Sequence, residues 1–178
     1  GGAERGVAIA YDSRINSRLF AESAASVFAA NGIKTYLFDA LRPTPELSFA
    51  LRHLKCMAGV NITASHNPKQ YNGYKAYWED GAQLGPDQAN AVAACIGRCD
   101  IFSGVKSCDF GQACEDGRIV MLGRSTDEAY IRAVMKERVN PQMTINEYFR
   151  VVYTPLHGAG RTLVPEVLRP CGIRHLYT

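Results

Sequence analysis

Within residues 7–38 the chain runs strand, helix, strand, and that order restricts it to a small set of folds. Val7 to Tyr11 reads as a short buried strand that leaves through the polar turn Asp12-Ser13-Arg14. A helix is expected from about Ser17 to Asn31. Leu19, Phe20, Ala24, Val27, Phe28 and Ala30 approximate a helical apolar face, Ser17 suits the N-cap, and Gly32 is placed to stop the helix. Ile33 to Phe38 then alternates as a second strand. Two strands joined through a helix form a βαβ crossover, which is right-handed in nearly all sheets.

The pattern continues with a rigid connection at Pro43-Thr44-Pro45, a helix from Glu46 to Lys55, and a strand from Gly59 to Thr63. Tyr74 to Trp78 and Gln83-Leu84 flank Glu79-Asp80-Gly81, the mark of an antiparallel hairpin, so the sheet is expected to be mixed. Pro86 to Arg98 returns to helix, with Ala89, Val92, Ala93 and Ile96 as the expected packed side. Residues 99–125 are rich in Gly, Cys and Ser and read as surface elaboration, apart from a short strand at Ile119 to Leu122. Ser125 or Thr126 can cap a helix through Glu137, and Asn140 to Glu147 reads as a boundary.

Beyond that boundary the opening motif returns. Strand, Tyr11, polar loop, helix, Asn31-Gly32-Ile33 and strand are echoed by strand, Tyr153, loop, helix, Cys171-Gly172-Ile173 and strand. A lone βαβ unit of about 30 residues is too small to bury a core. Residues 1–140 are therefore expected as one α/β domain with a mixed sheet flanked by helices, and 141–178 as a linker and the truncated start of a similar second domain.

Bulk properties exclude several classes. The net charge of +3 comes from scattered basic residues, so no nucleic-acid surface is expected. No apolar run approaches the roughly 20 residues of a membrane span, and no basic-then-apolar leader is seen, although the start Gly1-Gly2-Ala3 lacks Met; the expectation of a cytoplasmic protein rests on the cysteines. The six cysteines show no Cys-x-x-Cys pairing and fit reduced thiols better than a zinc site.

One polar loop stands out. Val60 and Ile62 lead into Ser65, while Asn67, Pro68, Asn72 and Gly73 punctuate a constrained turn. Such a loop can direct backbone N–H groups and a hydroxyl at one anion, with His66 and Lys75 nearby for proton transfer and positive charge. Turn chemistry also explains the same residues without any function. A serine hydrolase has no local support, because no Gly-x-Ser-x-Gly elbow is present.

The run Thr63-Ala64-Ser65-His66-Asn67-Pro68, followed by Tyr71-Asn72-Gly73-Tyr74-Lys75, resembles the active-site serine signature of the α-D-phosphohexomutases, the phosphoglucomutase and phosphomannomutase family. Tyr77 to Leu84 resembles the branch of phosphoglucomutases with side activity on mannose or pentose phosphates. Tyr153-Thr154-Pro155-Leu156-His157-Gly158 resembles the start of the family's second domain. The resemblance implies a phosphohexomutase domain I followed by the opening of domain II, in a polypeptide whose further domains complete the site.

The resemblance also assigns roles. Ser65 would carry the phosphoryl group and pass it between hexose 1-phosphate and hexose 6-phosphate through a bisphosphate intermediate, with glucose 1,6-bisphosphate as activator. Magnesium would be bound through the phosphoryl oxygen of Ser65, its other ligands lying outside this chain. Lys75 would stabilise phosphoryl charge or assist proton transfer, and His66 would hold a phosphate or substrate oxygen. Arg14 would bind phosphate through its planar guanidinium, or else pair with Asp12. The expected activity is that of a phosphoglucomutase, with these residues inactive alone. The alternatives are a noncatalytic phosphate-binding domain, or a phosphomannomutase or phosphopentomutase of the same family.

Overall fold

In the computed structural model, which describes residues 1–178, a one-turn helix α1 (Gly2–Arg5) leads into strand β1 (Val7–Tyr11), all five of whose residues are buried. Helix α2 (Ser17–Ala30) follows, and its small residues Ala21, Ala25 and Ala29 recur every fourth position and are buried. The N-cap is Asn16, with φ 63°, rather than Ser17. The hydroxyl of Ser17 instead donates to Asp12 at 2.9 Å, which removes it from capping.

Strand β2 (Thr35–Phe38), helix α3 (Thr44–His53), strand β3 (Ala58–Ile62) and strand β4 (Tyr74–Trp78) come next. After these the chain forms helix α4 (Pro86–Ile96), helix α5 (Phe110–Glu115) and strand β5 (Ile119–Leu122). The sheet order is β4-β3-β1-β2-β5. β1 is parallel to β2 and β3, β5 is parallel to β2, and β4 runs antiparallel to β3, so the sheet is mixed as expected.

Both faces of the sheet are covered. Val7, Ile9, Tyr11, Leu37, Val60, Ile62 and Ile119 pack with the α2 alanines and Ala113 of α5, while Ala8, Ala10, Phe38, Tyr77 and Leu122 pack with Leu47, Ala50 and Leu51 of α3. Each large aliphatic or aromatic side chain so buried contributes about 2 kcal/mol relative to exposure.

The chain steps from β1 to β2 on one side and returns to β3 on the other. The loops after β1 and β3 therefore leave neighbouring carboxyl ends at a topological switch point, where open α/β sheets place their ligands.

Two expectations require correction. No residue of α4 is buried, and Val92 and Ile96 are 41% and 63% exposed. The helix has the expected apolar periodicity, but it follows the edge strand β4 and lies against no face of the sheet. Residues 110–122, by contrast, belong to the core. Ala113 is fully buried, and Ile119 is nearly so in a strand that extends the sheet beyond β2.

Contacts divide the chain into residues 1–122 and 123–178. Helix α6 (Arg124–Lys136), expected to close the first domain, packs against helix α7 (Leu163–Leu168) of the second unit. In that unit strands β6 (Arg150–Val152) and β7 (His175–Tyr177) pair in parallel around α7, with Leu163 and Ile173 buried. The repeat seen in the sequence is thus a repeat of geometry. Gly32 after α2 and Gly172 after α7 both take left-handed backbone, at φ 72° and 97°, a conformation glycine adopts without steric cost.

Candidate active site

Thr63 to Gly73 connect β3 to β4 as a loop with a closed neck: the Thr63 N–H donates to the Gly73 carbonyl at 3.0 Å. Two turns lie above the neck, closed by Asn67 N–H to the Ala64 carbonyl and Tyr71 N–H to the Pro68 carbonyl. Ser65 stands in the first with φ 59°, a left-handed conformation that a side chain makes unfavourable. Ser65 is exposed, and its Oγ lies 3.2 Å from Nδ1 of His66.

What holds Ser65 there is a relay from the β1 turn. The Ser65 N–H donates to Thr63 Oγ1 at 3.0 Å, and the Thr63 hydroxyl donates to Asp12 Oδ2 at 2.6 Å. Asp12 Oδ1 accepts from the Arg14 N–H at 3.0 Å and from the Ser17 hydroxyl at 2.9 Å. Asn72 joins the other arm of the loop to the same turn, donating to Ser17 Oγ at 2.9 Å and to the Ile15 carbonyl at 3.2 Å.

Arg14 lies under the loop. Nη1 donates to the carbonyls of Pro68 (3.0 Å) and Tyr71 (2.9 Å), and Nη2 to those of Ser65 (2.6 Å) and Asn67 (2.7 Å). Nε faces Asp12 Oδ2 at 3.3 Å as an ion pair. All four terminal N–H donors of the guanidinium are thereby engaged, so in this structure Arg14 clamps the serine loop, and of the two roles the sequence offered it, phosphate binding or pairing with Asp12, the structure contains the second. A fork of fixed donors suits converging carbonyls as well as it suits a phosphate.

This clamp has an electrostatic consequence. In a trans peptide the carbonyl of one residue and the N–H of the next point in opposite directions. Because the carbonyls of Ser65, Pro68 and Tyr71 point down to Arg14, the N–H groups of His66, Lys69 and Asn72 point away from it. Such outward N–H groups attract an anion, and a phosphoryl group on Ser65 Oγ would be one.

Lys75 is half-buried on β4, directly opposite Asn61 of β3, and has no hydrogen bond or ion pair. The structure thus brings together Ser65, His66 and Arg14 and places Lys75 on the neighbouring strand. Asp12, Thr63 and Asn72 are structural parts of the site; the sequence marked Asn72 as a turn residue of the loop and Asp12 as a partner for Arg14, but not the bonds that join them through Ser17 and Thr63. Their only signal was position, in two polar turns that follow adjacent strands.

The residues present do not form a magnesium site by themselves. No three His, Cys, Asp or Glu side chains converge anywhere in the chain, and the carboxylate nearest the loop, Asp12, is committed to Thr63, Ser17 and Arg14. Ser65 can offer one oxygen. An open groove of about 510 Å³ lined by Ile15, Asn16, Phe20, Asn72, Gly73 and Tyr74 borders the loop on its α2 side but does not include Ser65, His66 or Lys75.

Comparison with known proteins agrees with this geometry. Residues 2–100 match the family described as phosphoglucomutase/phosphomannomutase, alpha/beta/alpha domain I. A phosphoglucomutase of Staphylococcus saprophyticus is 39% identical over 163 residues, which are 91% of this chain and 29% of the relative. A protein named a probable phosphoribomutase of Schizosaccharomyces pombe is 35% identical over 179 residues, 96% of this chain and 29% of the relative. Among solved structures, a protein assigned as a phosphomannomutase in Thermus thermophilus superposes with a TM-score of 0.75 at 27% identity, over 96% of this chain and 36% of that one. The chain spans less than a third of the length of the two sequence relatives. With a matched domain that includes the serine loop and its supporting turn, the chain belongs to the phosphoglucomutase/phosphomannomutase family.

Proposed function

We propose that these residues act within a longer polypeptide as the phosphoryl-carrying part of a phosphoglucomutase-type sugar-phosphate mutase, with Ser65 as the carrier. The observation that supports this reading most is the posture of Ser65, an exposed hydroxyl on a left-handed residue, held by a relay to Asp12 and by the four-bond clamp of Arg14. Phosphoryl transfer requires positioning and charge compensation more than covalent chemistry from the protein.

In the reaction a sugar hydroxyl oxygen forms a bond to the phosphorus of phospho-Ser65, the Ser65 Oγ–P bond breaks, and the hydroxyl proton leaves to a base. The product is a sugar bisphosphate. Transfer of its other phosphoryl group back to Ser65 Oγ restores the phosphoserine and releases the isomeric monophosphate. His66 contacts a phosphoryl or substrate oxygen, and Lys75 compensates charge or moves the proton. We further propose magnesium as the counter-ion of the phosphoserine, with Ser65 giving one oxygen and its other ligands lying outside residues 1–178, and glucose 1,6-bisphosphate as the activator. A cytoplasmic setting fits a phosphorylated-sugar substrate and six unpaired thiols.

A second reading, pentose phosphate in place of hexose phosphate, is favoured by the 35% identity to the Schizosaccharomyces pombe relative. The test uses the full-length protein and its Ser65→Ala variant. Interconversion of glucose 1-phosphate and glucose 6-phosphate, and of ribose 1-phosphate and ribose 5-phosphate, is measured beside phosphate incorporation read by intact mass. The wild type is expected to turn over at least one pair and to gain one phosphoryl group from glucose 1,6-bisphosphate. Turnover by Ser65→Ala at the wild-type rate overturns the assignment.

A further inference from the structure

Asn61 is 2% exposed at the carboxyl end of β3. Its Nδ2 donates to Thr44 Oγ1 at 2.7 Å, which fixes the amide plane and orients Oδ1 away from Thr44. That oxygen is buried without a hydrogen-bond partner. A buried acceptor left unpaired costs about 1–3 kcal/mol, so a donor is expected within its reach.

The register identifies the donor. In the antiparallel β3–β4 pair Asn61 stands directly opposite Lys75, and residues so opposed project from the same sheet face with Cβ atoms about 5 Å apart. Lys75 is half-buried, has three donors, and engages none of them with the protein. The face is that of α3, because Gly59 and Tyr77, the next pair on it, lie against Leu51 and in the α3 cluster. The other ionisable groups on that face are Tyr77, whose hydroxyl shares a hydrogen bond with Thr44, and the Arg42–Glu46 pair at 3.7 Å.

We propose that Asn61 is a positioning residue for Lys75: its Oδ1, an unpaired acceptor directly opposite a lysine that engages no protein group in the structure, takes up the ammonium between transfer steps and yields it to the phosphoryl group during transfer. This rests on the mutase reading for its functional half only. It also gives Pro43-Thr44-Pro45 a defined part, since Thr44 holds the amide that holds the lysine. A neutral amide suits a group that must be released, whereas a carboxylate at this position would retain the lysine as an ion pair.

The test is a double-mutant cycle in the full-length protein: Asn61→Leu, Lys75→Met and the pair are compared by urea unfolding midpoint. If Oδ1 and the ammonium interact, the two losses do not add, and the pair is expected to lose only about half of the two single shifts combined. A structural role for Asn61 that does not involve Lys75 gives additive shifts, which overturn the proposal. Asn61→Ser takes the place of Asn61→Leu in the cycle where the latter fails to fold. This arm needs no turnover, so its failure is separate from failure of the mutase reading. In the mutase assay Asn61→Asp is expected to lower kcat about tenfold with KM within about twofold, as for an interaction needed in the transition state. Non-additive unfolding with wild-type kcat in Asn61→Asp overturns the functional half.

Discussion

Arg14 Nη2 donates to the carbonyl of Ser65 at 2.6 Å across 51 residues of sequence, so an arginine that its sequence neighbours offered to phosphate or to Asp12 shapes the loop that carries Ser65. Three further carbonyls share the same guanidinium. Lysine has the charge but not the planar fork. Arg14→Lys is therefore expected to leave the sheet intact while loosening residues 63–73, seen as faster amide hydrogen exchange confined to that loop. Phosphate incorporation on Ser65 should fall at least about tenfold, corresponding to loss of roughly one charge-assisted hydrogen bond in the reactive geometry.

Ser65 at φ 59° permits a test that separates backbone strain from chemistry. Ser65→Ala keeps the Cβ and its strain, whereas Ser65→Gly removes both. Urea unfolding should find the glycine variant more stable than the alanine variant by about 1 kcal/mol, an offset between relief of left-handed strain and greater freedom of the unfolded chain. Neither variant should accept a phosphoryl group at this position. Equal stabilities would show that the loop does not enforce the left-handed state.

At the neck of the loop, a Cβ added to Gly73 would come within 2.7 Å of the Thr63 carbonyl oxygen, the carbonyl of the residue whose N–H closes the neck. Gly73→Ala must push β3 and β4 apart, and overpacking of this kind costs about 1–3 kcal/mol. The expected result is a lower unfolding midpoint together with reduced Ser65 phosphorylation. Wild-type values for both would mean that the neck yields freely.

Cys56, fully buried under α3, gives a pH prediction. Burial pushes its thiol up to about 11, against the opposing pull of Arg5 and Lys34. A thiol pKa raised by folding means that the folded state binds the proton more tightly than the unfolded chain does. The resulting stabilisation is complete below the ordinary thiol range and is lost as pH rises from about 9 toward 11, by roughly 3 kcal/mol in all. Unfolding free energy should show that loss, and Cys56→Ala should flatten it. In the native state near pH 8, a thiol reagent should label exposed Cys95 and Cys99 quickly and Cys56 only on unfolding.

Much of the fold was legible locally. The continuous apolar run of β1, the β-branched run of β3, the alternation in β2, the helical periodicity of α2 and α3, the glycines after α2 and α7 and the hairpin at Glu79-Asp80-Gly81 are properties of short windows, and the structure has these elements within a few residues of the expected bounds. The polar loop at Ser65 was equally visible, because turn residues announce a turn wherever it sits.

Three features depended on residues far apart in sequence. The apolar stripe of α4 is real, but a stripe does not say whether anything packs against it, and in this chain nothing buries it. Strand β5 reads as an isolated apolar tetrad until β2 supplies its ladder of hydrogen bonds. Arg14 could be assigned to phosphate or to Asp12 from its neighbours alone. Only the adjacency of β1 and β3 sets four carbonyls of the serine loop above its guanidinium. Side-chain period and turn chemistry are written along the chain; partners for donors, acceptors and apolar faces exist only after the chain has folded.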